Sequence, residues 1–147
     1  MYFARIAAYC LLFGALSACA ASRRAADIDA GTPALEELAG RMYYFVSMDG
    51  KSFEGASAPE LGFTVEGRVI GLACNRFSGA AKIANGTLTA KNTVSTRMGC
   101  AQPFLNELEQ IVFGMLQNGA RIRLDGNRLT LTRDGRELVY TLPSPKP

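Results

Sequence analysis

The sequence predicts an α+β domain, an antiparallel β-sheet packed by one main α-helix, and three observations carry that expectation. Short β-branched and aromatic runs are punctuated by turn dipeptides over the first half of the chain. Between residues 102 and 118 the apolar period changes to a helical one, and three further alternating runs follow. A sheet with one apolar face needs a cover, and a single amphipathic helix supplies it.

In chain order, residues 1–18 form a bacterial secretory signal peptide: Arg5, an apolar core over residues 6–16, and small residues before Cys19. Leu16-Ser17-Ala18-Cys19 resembles a lipobox, so Cys19 is expected to carry diacylglycerol on its thiol and to become the mature N-terminus. The competing readings are an ordinary signal peptide and a short membrane anchor, although the run falls short of the about 20 apolar residues that span a bilayer. Ala20 resembles the outer-membrane sorting signal, so if the source is Gram-negative the domain is expected on the outer membrane facing the periplasm. Residues 19–37 read as lipid anchor and flexible tether, rich in small and charged side chains. Within it, Arg23-Arg24 read either as solvated linker charge or as a contact to anionic headgroups.

The folded domain is expected over residues 38–147. Met42-Tyr43-Tyr44-Phe45-Val46, closed by Asp49-Gly50, reads as a strand and a turn. Residues 60–66 alternate with Leu61, Phe63 and Val65 apolar, and Gly67 turns them into residues 68–73. Residues 77–83 and 87–90 are joined by Asn85-Gly86, a strong hairpin signal. Phe104, Leu105, Leu108, Ile111, Val112, Met115 and Leu116 form one helical stripe, ended by Asn118-Gly119. That stripe reads as core, with a partner-binding face as the alternative. Residues 121–124, 129–132 and 138–142 close the sheet, with Ile122, Leu124, Leu129, Leu131, Leu138, Tyr140 and Leu142 pointing inward.

Composition narrows the function. The formal charge of +3 is interspersed along the chain, and with export it argues against nucleic acid as a partner. The chain has no histidine, which excludes imidazole-based triads and zinc sites. Ser47, Ser52, Ser57, Ser78 and Ser95 therefore lack an activating base, and no Ser-x-x-Lys, phosphate loop or metal-ligand spacing is present. No enzyme, cofactor or metal is expected. Of the four cysteines, Cys10 leaves with the signal and Cys19 takes lipid. In an oxidising envelope Cys74 and Cys100 then have one intramolecular pairing, worth about 3–4 kcal/mol in the chain-entropy picture. Buried free thiols and a redox pair are the alternatives.

Two segments stand out, Gly71-Leu72-Ala73-Cys74-Asn75-Arg76-Phe77-Ser78-Gly79 and Ser95-Thr96-Arg97-Met98-Gly99-Cys100. They resemble the paired signatures of the META domain, the family of HslJ-like lipoproteins, over residues 38–142. Ala73 stands where that family has glycine, and Tyr43 replaces a tryptophan, since the chain has none. The resemblance implies a strongly curved antiparallel sheet, a partial barrel, and a role in envelope stress tolerance without a defined activity. Asn75 is expected to turn the chain through side-chain to backbone hydrogen bonds, with Phe77 inward. Arg76 and Arg97 have two readings: a cationic contact for a carboxylate or phosphate on a ligand or partner, or pairing with Glu107, Glu109 or helix-flanking carbonyls.

Two functions follow. The first is a monomeric, membrane-anchored interaction module that binds an envelope protein through an exposed sheet edge or loop rim, which predicts an apolar or aromatic patch outside the core. The alternative is a small-molecule or lipid-binding module whose concave sheet leaves a cavity lined by Phe45, Phe63 and Tyr140.

Overall fold

Three dipeptides set most of the local geometry. Asp49-Gly50, Asn85-Gly86 and Asp134-Gly135 all take positive φ at both positions, from 49° to 78°, and join strands paired directly across them. Both central residues of a type I′ turn need that conformation, and its twist matches that of the flanking strands. The structure is a computed structural model and describes residues 31–55 and 58–143. Over those residues the order is α1 (Leu35–Leu38), β1 (Arg41–Met48), β2 (Lys51–Ser52), β3 (Glu60–Phe63), β4 (Arg68–Leu72), β5 (Arg76–Ala84) and β6 (Thr87–Ser95). Helix α2 (Pro103–Asn118), β7 (Ala120–Asp125), β8 (Arg128–Arg133) and β9 (Arg136–Thr141) complete it.

The sheet is antiparallel throughout and closes on itself. Strand β1 makes the closure by pairing through Arg41–Tyr44 with β3 on one side and through Tyr44–Met48 with β9 on the other. The resulting barrel runs β1-β3-β4-β5-β6-β7-β8-β9, with β2 a short addition to β1. It is weakest between β6 and β7, which share only Thr87↔Arg121 and Leu88↔Ala120. Helix α2 packs against β6 and β8 and covers the core, the role expected of the helical stripe. Leu108, Val112, Met115 and Leu116 of the stripe are buried in one core with Tyr43, Phe63, Val69, Leu88, Leu129, Leu131 and Leu138. At α2's N-terminal end Phe104 stacks on Phe53 and meets the edge of Phe45, which packs edge-on against Tyr140.

Several expectations are corrected. Residues 31–37, read as tether, belong to the folded unit: Pro33 is buried, and the Leu124 amide donates to the Gly31 carbonyl at 2.7 Å. Val65 is 77 % exposed, because β3 ends at Phe63 and residues 64–67 form a turn in which the Gly67 amide donates to the Thr64 carbonyl. Strand β6 runs on to Ser95, kept in register by a bulge that sets Asn92, at φ 51°, and Thr93 against Gly79. Leu124 and Leu142 are half-buried at the ends of their strands, while the other five residues of the predicted inward set are buried. The signal peptide, Cys19 and most of the tether lie outside the described residues.

Candidate functional site

Strand β4 ends at Leu72, and the chain must reverse into β5 within Ala73-Cys74-Asn75. Small residues make this possible. A Cβ on Gly71 would stand 2.6 Å from the Glu60 carbonyl and collide with the Phe77 ring, which lies across the bare backbone. Phe77 points inward, as expected, and meets Phe113 of α2 edge-on at 5.4 Å. The reversal is tied to the segment after β6 by the Cys74–Cys100 disulfide, which closes a loop with a sequence separation of 26.

Asn75 organises the corner. Only 4 % exposed, it accepts at Oδ1 from the Met98 amide (2.7 Å) and from Thr96 Oγ1 (2.9 Å). Its Nδ2 donates to the Met98 carbonyl and to Glu109 Oε1, both at 3.2 Å, and its backbone amide donates to Glu109 Oε2 at 2.6 Å. One buried amide thus joins three segments: the β4–β5 turn, residues 96–98 and α2. Local turn chemistry was the expectation for Asn75, and the structure extends it to long-range clamping. A buried polar group of this kind costs stability unless every donor and acceptor is satisfied, and here the helix carboxylate completes the set.

Arg76 and Arg97 are brought to one strip of surface, since the Arg76 amide donates to Thr96 Oγ1 (3.2 Å) and its carbonyl accepts from the Thr96 amide (3.0 Å). Both side chains are exposed, and neither guanidinium forms an ion pair with Glu107 or Glu109. Those carboxylates are engaged elsewhere. Glu109 serves Asn75, and Glu107 pairs with Arg136 at 2.9 Å, whose Nε lies 2.6 Å from Asp49. The Glu137 amide, before the nearby arginine, holds the Asp49 carboxyl below its ordinary value, and Glu107 in turn holds the Arg136 guanidinium charged.

The sequence reading missed what lies beside the arginines. By register, Met42, Gly62, Ile70, Ser78 and Val94 form one row across the outer face of β1, β3, β4, β5 and β6. Tyr44, Glu60, Leu72 and Arg76 form the next. Val94 is 64 % and Tyr44 36 % exposed, Met98 in the adjoining segment is 67 % exposed, and Met42, Ile70 and Leu72 are half-buried. Met42 reaches this row by lying over Gly62, where a Cβ would stand 2.7 Å from its sulfur. Within single strands these residues are isolated apolar letters on the solvent side; only the register assembles them.

The proposed cavity residues lie inside the core. Phe45, Phe63 and Tyr140 are buried, and the ring of Phe104 packs on Phe45 from the helix. Tyr43, in place of the expected tryptophan, is fully buried, and burial raises its phenol above the ordinary value. Among the described residues no helix is long and apolar enough to cross a membrane.

A closed antiparallel barrel plugged by one helix, with a disulfide joining two signature segments at its rim, defines a class of small β-barrel domains. The META domain family model matches residues 36–145, and the chain belongs to that family. It is 37 % identical over 139 residues to heat shock protein HslJ of Escherichia coli (strain K12), covering 94 % of this chain and 95 % of that one. A protein solved by NMR matches with a TM-score of 0.70 at 40 % identity, covering 75 % of this chain and 95 % of its own. An NMR structure of a protein from Burkholderia xenovorans shares the fold at a TM-score of 0.58 and 19 % identity, over 76 % of this chain and 87 % of that one.

Proposed function

We propose that the chain is a lipid-anchored envelope protein, held at Cys19 on the outer membrane facing the periplasm, whose META domain is a non-enzymatic interaction module serving tolerance of envelope stress. The observation that carries the binding role is the apolar group Met42, Tyr44, Ile70 and Leu72 on the solvent face of β1 and β4, with Val94 on β6 beyond Ser78. Solvent-exposed rows of this kind mark contact surfaces when they are contiguous and rimmed by polar groups. Arg76 and Arg97 supply the rim, so the partner is an envelope protein that presents apolar side chains flanked by carboxylates. The cavity reading is disfavoured by the core, in which Phe45, Phe63 and Tyr140 belong to one buried cluster and Phe45 packs against both Tyr140 and Phe104.

The test is site-specific photocrosslinking in intact cells from Val94 and, as a control, from Glu54. A discrete protein adduct from Val94 alone, lost in Ile70→Ser/Tyr44→Ser without a change in melting temperature, is the expected result. Equal adducts from both positions would sink the assignment of this face. Metabolic labelling with palmitate, abolished in Cys19→Ala, tests the anchor separately.

A further inference from the structure

The outer face of β5 to β8 carries a second, different surface. Ile83, Leu88, Ala90, Ile122 and Leu129 face the core, so their strand neighbours Lys82, Lys91, Arg121, Arg123 and Arg128 face solvent. All five are exposed, and Asp125, beside Arg128, is the one acid on the same strands. None of the five forms an ion pair among the described residues. Thr87, Thr89, Thr130 and Thr132 fill the positions between them, so the surface is cationic and hydroxylated, and it meets the apolar row of the face described above only at Val94, near the end of β6.

The position of the chain's N-terminal side gives this surface its partner. Gly31 sits on β7, its carbonyl accepting from the Leu124 amide and its backbone lying against the Arg123 side chain. From residue 31 back to Cys19 there are twelve residue steps (31 − 19), at most about 40 Å of chain even when fully extended. We propose that the β5–β8 face, centred on Lys82, Lys91, Arg121 and Arg123, docks on the anionic lipid headgroups of the membrane that holds the anchor, which turns Met42, Tyr44, Ile70 and Leu72 on β1 and β4 toward the periplasm and leaves Val94 at the margin between the two surfaces. The proposal rests on lipidation at Cys19. Phosphate oxygens match the guanidinium and ammonium groups in charge and the hydroxyls of Thr87, Thr130 and Thr132 as donors, Thr89 donating instead to the Lys82 carbonyl, and a tether leaving from this face keeps it within reach of the bilayer.

The full lipidated chain, reconstituted into vesicles of phosphatidylcholine alone or with about 30 % phosphatidylglycerol, provides the test. Flotation reports the anchor, and the rate of amine acetylation at each lysine reports the face that is covered. On the anionic vesicles Lys82 and Lys91 should be acetylated about fivefold more slowly than on neutral ones, while Lys51 on β2 is unaffected. The protection should vanish in about 1 M salt, where the Debye length falls to about 3 Å, and in Arg121→Gln/Arg123→Gln. A chain that floats but shows the same three lysine rates on both vesicles overturns the docking and leaves the anchor standing. A chain that does not float removes the anchor and the docking with it.

Discussion

Helix α2 is fastened to the barrel by two carboxylates two residues apart, and the two fastenings are of opposite kinds. Glu109 turns into the Cys74–Asn75–Cys100 corner and accepts two N–H groups from an asparagine that is 4 % exposed. Glu107 turns outward to Arg136, and that pair, with Asp49, is one-third to one-half exposed. The first couples an ion to neutral amide groups in a half-buried, covalently closed corner. The second sets ion against ion in water. Buried hydrogen-bond sets are costly to break because each orphaned group loses its solvation, whereas exposed pairs gain little over their hydrated state. The corner is therefore expected to hold the fold, and the outer pair to trim it.

The largest effect is expected from the disulfide. Cys74→Ser/Cys100→Ser should lower unfolding stability by about 3–4 kcal/mol in urea titrations, given the separation of 26 residues. Retention of full stability by the serine variant would show that Asn75 alone clamps the corner. Next comes the amide itself. In a double-mutant cycle, Asn75→Ala and Glu109→Ala should couple by about 1–3 kcal/mol, because either change alone leaves the other partner's groups unsatisfied. A coupling near zero would place the corner in the same class as the outer pair and erase the distinction drawn between them. Gly71→Ala should cost about 1–3 kcal/mol through overpacking, since its methyl meets both the Phe77 ring and the rigid Glu60 carbonyl. Thermal melts of Gly71→Ala and of Gly71→Ala/Phe77→Leu separate the two contacts: partial rescue by leucine assigns the clash to the ring.

The same contrast explains what the sequence made legible. The Asp49-Gly50 and Asn85-Gly86 turns could be read because they are local: Asn85-Gly86 needs no distant partner to favour positive φ. The helix was legible because its stripe is periodic, and the cysteine pairing because few partners remained. Barrel closure was not, since it depends on β1 changing partner at Tyr44 from β3 to β9, nearly a hundred residues away along the chain. Charge alone offers Glu109 to the arginines as one of two readings; that its partner is the neutral Asn75 follows from the helix's rotation over the barrel, which no local pattern encodes. The apolar outer row was hidden for the same reason, being spread one residue at a time over five strands.

The smallest expected effect tests the outer pair through pH and salt. Asp49 has its carboxyl lowered from 3.8 by the Glu137 amide first and by Arg136 after it. For a carboxylate depressed in the folded state, the stabilisation is complete above the unfolded value and disappears as pH falls through the folded one. The contribution of Asp49 is accordingly constant from neutral pH down to about 4 and is lost only below that. Asp49→Asn should shift the melting temperature slightly at pH 7, and the shift should shrink toward zero as pH drops to about 2. It should not vanish altogether in high salt: salt screens the Arg136 ion pair, but the Glu137 amide donates to Asp49 Oδ1 at 2.8 Å, and a carboxylate accepts that bond more strongly than the asparagine oxygen that replaces it. Arg136→Gln isolates the screened part, and its shift should disappear in about 1 M salt. If Arg136→Gln keeps its full effect at high salt, the arginine acts through the packing of its stem between α2 and β9, and the outer fastening is structural in the same sense as the inner one.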